Sequence, residues 1–207
     1  MTYLNSVNID YFNPRKLIEI HGGKLPHWQQ GTCPQFITFR EHDSLPQTLL
    51  RAWREEKAIW LKRHPEPHTT PIRNQYHQRF TKRFEDHLDR GIGSCIMREA
   101  QHRNVLQDVL MHAHGDKVEH LAWVIMPNHV HLLCIPRLPL AELIKIWKGT
   151  SAHRISATKL WQANYRDTLI RNEAHFRRVV RYIRKNPQNL LKRDFTLWES
   201  SAVQQIQ

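Results

Sequence analysis

Two apolar runs near the middle of the chain constrain its fold more than any other feature. His120-Leu-Ala-Trp-Val-Ile-Met126 and His129-Val-His-Leu-Leu-Cys-Ile135 are separated only by Pro127-Asn128. Pro followed by Asn suits the central positions of a tight turn, so the runs read as the two strands of a β-hairpin. Their apolar residues occupy successive rather than alternate positions, as in interior strands covered on both faces. A hairpin of this kind requires a sheet with helices packed against it.

The flanking sequence supplies those helices. Residues 1–34 are broken by Asn13-Pro14, Gly22-Gly23, Pro26 and Pro34 and read as an irregular arm. Residues 35–40, Gln-Phe-Ile-Thr-Phe-Arg, read as a strand ended by the turn-forming Asp43-Ser44. Pro46 opens a helix carrying Leu49, Leu50, Trp53, Ile59, Trp60 and Leu61, which stops at His64-Pro65. A loop to Pro71 precedes a second helix over 75–88, stopped by Gly91 and Gly93, and a third runs from 98 to about 113, ended by Gly115. Pro139 begins a helix with Leu140, Leu143, Ile144 and Trp147 on one face. Residues 161–171 read as a short strand and turn, and 173–185 as a helix broken by Pro187. Few strands interleaved with helices predict a compact α/β (α+β) sandwich rather than a long parallel sheet.

Charge narrows the class of partner. Lys and Arg number 31 against 19 Asp and Glu, a formal charge of +12. Such a surplus favours a polyanion, because phosphate neutralisation releases counterions and steers encounter. Neither an amphipathic anchor nor a membrane-length apolar run is evident, so nucleic acid is the expected partner and a membrane is not. Cys33, Cys95 and Cys134 are scattered and lack C-x-x-C spacing, which argues against a disulfide framework or a cysteine zinc site. The N-terminal residues lack a signal-peptide pattern, and the expected location is a reducing cytoplasm, in association with the nucleoid.

Two His-x-His pairs occur, where 15 histidines in 207 residues give about one by chance. His112 and His114 fall at the end of a predicted helix, where residues two apart point about 200° apart and cannot share an ion. They read as solvated helix-end side chains. His129 and His131 fall on a predicted strand and project from the same face, where they can chelate one cation or grip a phosphate. The alternative is a pair of core histidines satisfied by hydrogen bonds.

The helix over 173–185 places Phe176, Val179, Val180 and Ile183 on one buried stripe. Tyr182 lies at the edge of that stripe, with Asn186 one turn further along the same side. Arg177, Arg178, Arg181, Arg184 and Lys185 surround them. A phenol has a pKa of about 10 and is a poor nucleophile until cations favour its phenolate. The alternative is a border tyrosine beside a solvated basic face.

These segments coincide in one pattern. Met126-Pro-Asn-His-Val-His-Leu-Leu133, Trp161-Gln162 with Ile170-Arg-Asn172, and Tyr182-Ile-x-x-Asn-Pro187 together resemble the REP-associated tyrosine transposases, single-tyrosine members of the HUH endonuclease superfamily. Leu25-Pro-His-Trp28, Phe36-Ile-Thr-Phe-Arg40, Asp43-Ser-Leu-Pro46 and Trp198-Glu-Ser-Ser201 extend the resemblance from about residue 25 to 200. After Asn186-Pro187 the chain departs from the family pattern with Gln188-Asn-Leu-Leu191. The resemblance implies a ferredoxin-like sandwich with a central antiparallel sheet, the histidines on a central strand and the tyrosine on a helix. It implies an N-terminal arm over 1–24, a catalytic domain over 25–200 with a helical insertion at about 64–95, and a tail over 201–207. His129, His131 and Asn186 are the implied ligands of a divalent cation, Mg²⁺ or Mn²⁺, and Tyr182 the implied nucleophile.

The activity so implied is cleavage and transfer of single-stranded or hairpin DNA of the REP type through a 5′-phosphotyrosine. Lys145, Lys148, Arg178 and Arg181 are candidates for holding backbone phosphates, and Trp147 or Trp161 for stacking on unpaired bases unless they belong to the core. Three other readings stand: a domesticated hairpin binder, a hydrolytic metal nuclease that needs no tyrosine, and a basic structural protein. Oligomeric state is not addressed by the sequence.

Overall fold

The computed structural model describes residues 9–21 and 27–206. Residues 1–8 and 22–24 of the arm, Leu25 and Pro26, and Gln207 of the tail lie outside the described residues. The arm is not irregular throughout: β1 (Glu19–His21) and β2 (His27–Gln29) pair antiparallel, with Ile20 opposite Trp28. Three-residue strands are too short for periodicity to reveal. β2 is tied to the rest of the molecule by His27, whose Nδ1 lies 2.6 Å from Asp167 Oδ1.

The main sheet begins with β3 (Gln35–Arg40), followed by α1 (Gln47–Arg63). Next come α2 (Thr70–Tyr76), a π-helical stretch over His77–Lys82, and α3 (Arg83–Asp89), which run on as one helical segment. This segment starts five residues before the sequence-based boundary at 75, with Pro71 in its first turn, where a missing N–H does no harm. Then follow α4 (Ala100–Met111), the hairpin strands β4 (Val118–Ile125) and β5 (His129–Pro136), and α5 (Leu140–Ile155). The chain closes with β6 (Arg166–Leu169), α6 (Glu173–Lys185), β7 (Thr196–Glu199) and α7 (Ser201–Gln204).

The five strands lie in the order β6-β3-β5-β4-β7, every neighbouring pair antiparallel. Without β7, the order is fourth, first, third, second, which is the ferredoxin-like arrangement. Its first face carries Ile37, Trp123, Val130 and Leu132 beneath Leu106 and Leu110 of α4 and Leu143 and Trp147 of α5. The second face carries Val124, Leu133 and Ile135 beneath Phe176, Val179, Val180 and Ile183 of α6. Cover on both sides explains why β4 and β5 are apolar at successive positions. A third, smaller core of Leu45, Leu50, Trp53, Trp60, Phe80 and Leu88 holds α1–α3 together. No helix among the described residues is long and apolar enough to cross a membrane.

His120 is a buried titratable group that belongs to this scaffold. It is fully buried, its ring Nε2–H donates to the Leu110 carbonyl at 2.9 Å, and its Nδ1 has no partner. Burial depresses its pKa from 6.5 to about 4. The unfolded chain therefore binds a proton before the folded one does. Stability from this residue is complete above pH 6.5 and is lost as the pH falls through about 4, by about 3 kcal/mol at roughly 1.4 kcal/mol per pH unit. Thermal melts of His120→Met should show a lower Tm at neutral pH and a shallower decline on acidification than wild type. Parallel declines would refute the assignment.

Candidate active site

β5 alternates its side chains across the sheet, so His129 and His131 share parity with Leu133 and Ile135 and face α6. Their rings lie 4.7 Å apart at 77°, both almost wholly buried. On α6, whose N-terminus is capped by Asn172 accepting the His175 N–H at 2.8 Å, the apolar stripe turns Tyr182 toward the pair. The Tyr182 hydroxyl lies 3.3 Å from His131 Nε2. Phe36 from β3 packs beside them, its ring 5.5 Å from His131 and edge-on to Tyr182 at 5.7 Å.

The hydrogen bonds fix which nitrogens are free. Asn128 in the hairpin turn donates its amide N–H to the Ile92 carbonyl at 2.9 Å, so its Oδ1 faces His129. Oδ1 only accepts, and His129 Nδ1–H donates to it at 2.7 Å. His129 Nε2 is therefore an unprotonated lone pair, buried and without a partner. His131 Nδ1 lies 2.8 Å from Thr38 Oγ1 on β3; with Nδ1–H donating there, its Nε2 accepts from the Tyr182 hydroxyl. Burial holds both imidazoles neutral, pushing His129 down to about 3 and His131 well below its usual value.

The helix α3 reaches this site. Asp89 at the end of α3 places Oδ1 3.6 Å from His129 Nε2, so an acceptor faces a lone pair. Desolvation, with neighbouring Asp86, raises Asp89 to about 6, while desolvation raises Glu85 one turn earlier to about 7. Tyr182 is pushed well above 10, first by burial and then by Glu85 and Asp89, against the weaker pull of Arg166 and Asn186. The phenol is thus protonated at rest. The expectation that α6 cations favour its phenolate is overturned. Arg177 is paired with Glu173 and Arg184 with Glu199, while Arg178, Arg181 and Lys185 are exposed.

Asn186 opens a 3₁₀ turn after α6 and lies against His129, Asp89 and Tyr182, stabilising the charged form of each. Its Oδ1 is buried with no partner. Among the described residues no group of three or more His, Cys, Asp or Glu side chains is arranged to hold a metal ion. The fit to a divalent cation therefore rests on two imidazole lone pairs and one carboxamide oxygen, two of these three atoms being orphaned acceptors. Such a nitrogen–oxygen set accepts Mg²⁺, Mn²⁺ and other first-row ions.

The other sequence candidates separate. Lys145 and Lys148 stand on α5, across the sheet from α6. Lys148 Nζ is committed to the carbonyls of Gln162, Ala163 and Asn164 at 2.8–3.2 Å, so it clamps that segment and is not free for a phosphate. Trp147 and Trp161 are core residues, the latter donating to Ser151 Oγ at 2.8 Å. Arg178 and Arg181 remain exposed and without a carboxylate partner among the described residues, Arg178 one turn before Tyr182. His112 is exposed, but His114 is half-buried and accepts the His120 N–H at 3.1 Å. Sequence reasoning missed Thr38, Glu85, Asp89 and the second role of Asn128. The one available signal was two carboxylates four residues apart on one helix face of a basic chain.

No protein-family model matches the chain, and none of the curated proteins compared with it matches. Among solved structures it is similar to a REP-associated tyrosine transposase bound to a REP hairpin, at 16% identity, over 81% of this chain and 74% of that one, with a TM-score of 0.45.

Proposed function

We propose that the chain is a metal-assisted single-strand DNA endonuclease and strand transferase acting on hairpin DNA, with Tyr182 as nucleophile. The observation that carries this reading is the convergence of the Tyr182 hydroxyl on the His129–His131 pair, 3.3 Å from His131 Nε2. The contact forms within one chain, which supports attack in cis. A structural role for two buried histidines does not explain why one lone pair is left unsatisfied while its tautomer is held by a dedicated asparagine.

The chain's residues divide the work. His129, His131 and Asn186 would hold a divalent cation, which when bound offsets charge on the scissile phosphate. The Tyr182 oxygen attacks phosphorus, the bond from phosphorus to the 3′ oxygen breaks, and that oxygen takes a proton from solvent to become a free 3′-OH. The DNA stays attached through a 5′-phosphotyrosine, so bond energy is kept for rejoining. His131 Nε2 cannot both ligate a cation and accept the phenol's proton. That proton then needs another acceptor, and the candidates are the carboxylates of Glu85 and Asp89 on α3, which interact electrostatically with Tyr182.

The test is to incubate the protein with end-labelled hairpin oligonucleotides and Mg²⁺ or Mn²⁺ and then denature. The expected product is a label covalently attached to protein and sensitive to protease. Cleaved DNA with no adduct would favour water as the nucleophile, and binding without cleavage would favour a domesticated hairpin binder.

A further inference from the structure

The helices α1–α3 do more than bring Asp89 to the histidines. Together with β3 and the segment leading into β6 they enclose a cavity of about 370 Å³ beside the active site. We propose that this cavity holds one unpaired nucleotide of the DNA strand whose scissile phosphate lies at Tyr182. The inference rests on the DNA-processing reading above and adds to it a binding site built by the insertion.

Three observations carry it. First, the lining is aromatic: Phe84 stacks on Trp53, with ring centres 5.3 Å apart at 28°, and Tyr76 and Phe80 stand beside them. Flat apolar faces of this kind stack on any nucleobase without reading its sequence. Second, the remaining lining is cationic. Arg40, Arg54, Lys57 and Arg166 border the cavity, no carboxylate does, and none of the four is in an ion pair among the described residues. The guanidinium groups of Arg40 and Arg166 lie 5.8 and 5.3 Å from the Phe84 ring centre, so charge and ring face are interleaved as a base with its phosphate requires. Arg40 already donates to Ser44 Oγ at 2.9 Å, but a purely apolar ligand would leave Arg54, Lys57 and Arg166 around it without a counter-charge.

Third, the cavity borders the active site. Thr38, which lines it, makes the 2.8 Å hydrogen bond to His131 Nδ1. A strand leaving the phosphate at Tyr182 toward β3 would meet this cavity next. The volume is near the lower end of the usual range of about 300–1,000 Å³ for ligand sites, suiting one nucleotide and not a duplex.

Hairpin oligonucleotides with and without a single-stranded tail, the tail carrying 2-aminopurine, test the proposal by anisotropy and base fluorescence. Wild type should bind the tailed hairpin more tightly than the blunt one and quench the tail base. Arg54 and Lys57 are exposed, so Arg54→Glu/Lys57→Glu should fold. It should bind the tailed hairpin about tenfold or more weakly, and the slope of log affinity against log salt should fall by about 1.4, two phosphates at roughly 0.7 each. Arg51→Glu/Lys62→Glu makes the same change of charge on α1 outside the cavity lining and should weaken binding less. Phe84→Leu should lose the quenching and about tenfold in affinity. An equal loss in both charge-reversal variants, or a tail that adds nothing to wild-type affinity, overturns the nucleotide site. If either result accompanies a normal Tyr182 adduct, the strand-transfer reading survives without it. If no oligonucleotide binds at all, both fall.

Discussion

Tyr182→Phe is expected to abolish the protein–DNA adduct and to lower hairpin cleavage by at least about 10³-fold, since the other hydroxyl at the pair, that of Thr38, lies at His131 Nδ1 and not at the Nε2 that Tyr182 faces. Binding should change little, because the hydroxyl's contact with His131 is long, at 3.3 Å, and the ring's packing against Phe36 survives. Stability should stay within about 1 kcal/mol, or rise, because the lost group is a desolvated phenol with a 3.3 Å contact to His131 and Asn186 beside it. A denaturing gel, an affinity titration and a melt separate these outcomes. The pH dependence adds a further check. The phenol is protonated across the accessible range, so the adduct rate in wild type should follow its base. It should rise as Glu85 and Asp89 lose protons and then level off, well before a free phenol ionises at about pH 10. A rate still climbing tenfold per pH unit toward 10 would mean that bulk ionisation of the phenol governs the reaction and that the carboxylates do not.

The same residues explain how far the sequence could be read. The hairpin was legible because β4 and β5 are covered on both faces, which writes itself into consecutive apolar positions and leaves Pro127-Asn128 as the only possible turn. The pairing of His129 with His131 followed from strand parity, and the direction of Tyr182 from the 3.6-residue stripe of α6. Those are local rules. The contribution of α3 was not legible, because Asp89 and His129 are 40 positions apart and meet only when a separate small core docks α1–α3 against the sheet. Nor could charge counts say which cations face DNA. Lys148 looks like a phosphate ligand in the sequence and is instead consumed by three carbonyls, whereas Arg54 and Lys57, which border the aromatic cavity, belong to no sequence motif. Hydrogen-bond direction was out of reach as well. That Asn128 sets the His129 tautomer depends on its other end being held by Ile92, at a distance of 36 residues.

Divalent-cation affinity should fall in a graded series that follows this hydrogen-bond logic. His129→Ala removes the orphaned lone pair itself and is expected to weaken Mn²⁺ binding by 100-fold or more, beyond the usual roughly 10–100-fold cost of losing a supporting residue. Asn128→Ala leaves the imidazole but releases its tautomer and its link to Ile92, so a loss within that range is expected, about tenfold. Asp89→Asn keeps the shape of the side chain and removes a negative charge 3.6 Å from His129 Nε2, and the lost electrostatic attraction is expected to weaken cation binding by about tenfold. Thr38→Val should resemble Asn128→Ala, since it removes the partner of His131 Nδ1 in the same way. Calorimetric titration or the paramagnetic signal of free Mn²⁺ reads all four without relying on catalysis. Acid should reverse binding in wild type, because a proton on either imidazole competes directly for the lone pair the cation needs. An unchanged affinity in His129→Ala would remove the cation from the site and leave Tyr182 beside two histidines that act only as hydrogen-bond partners.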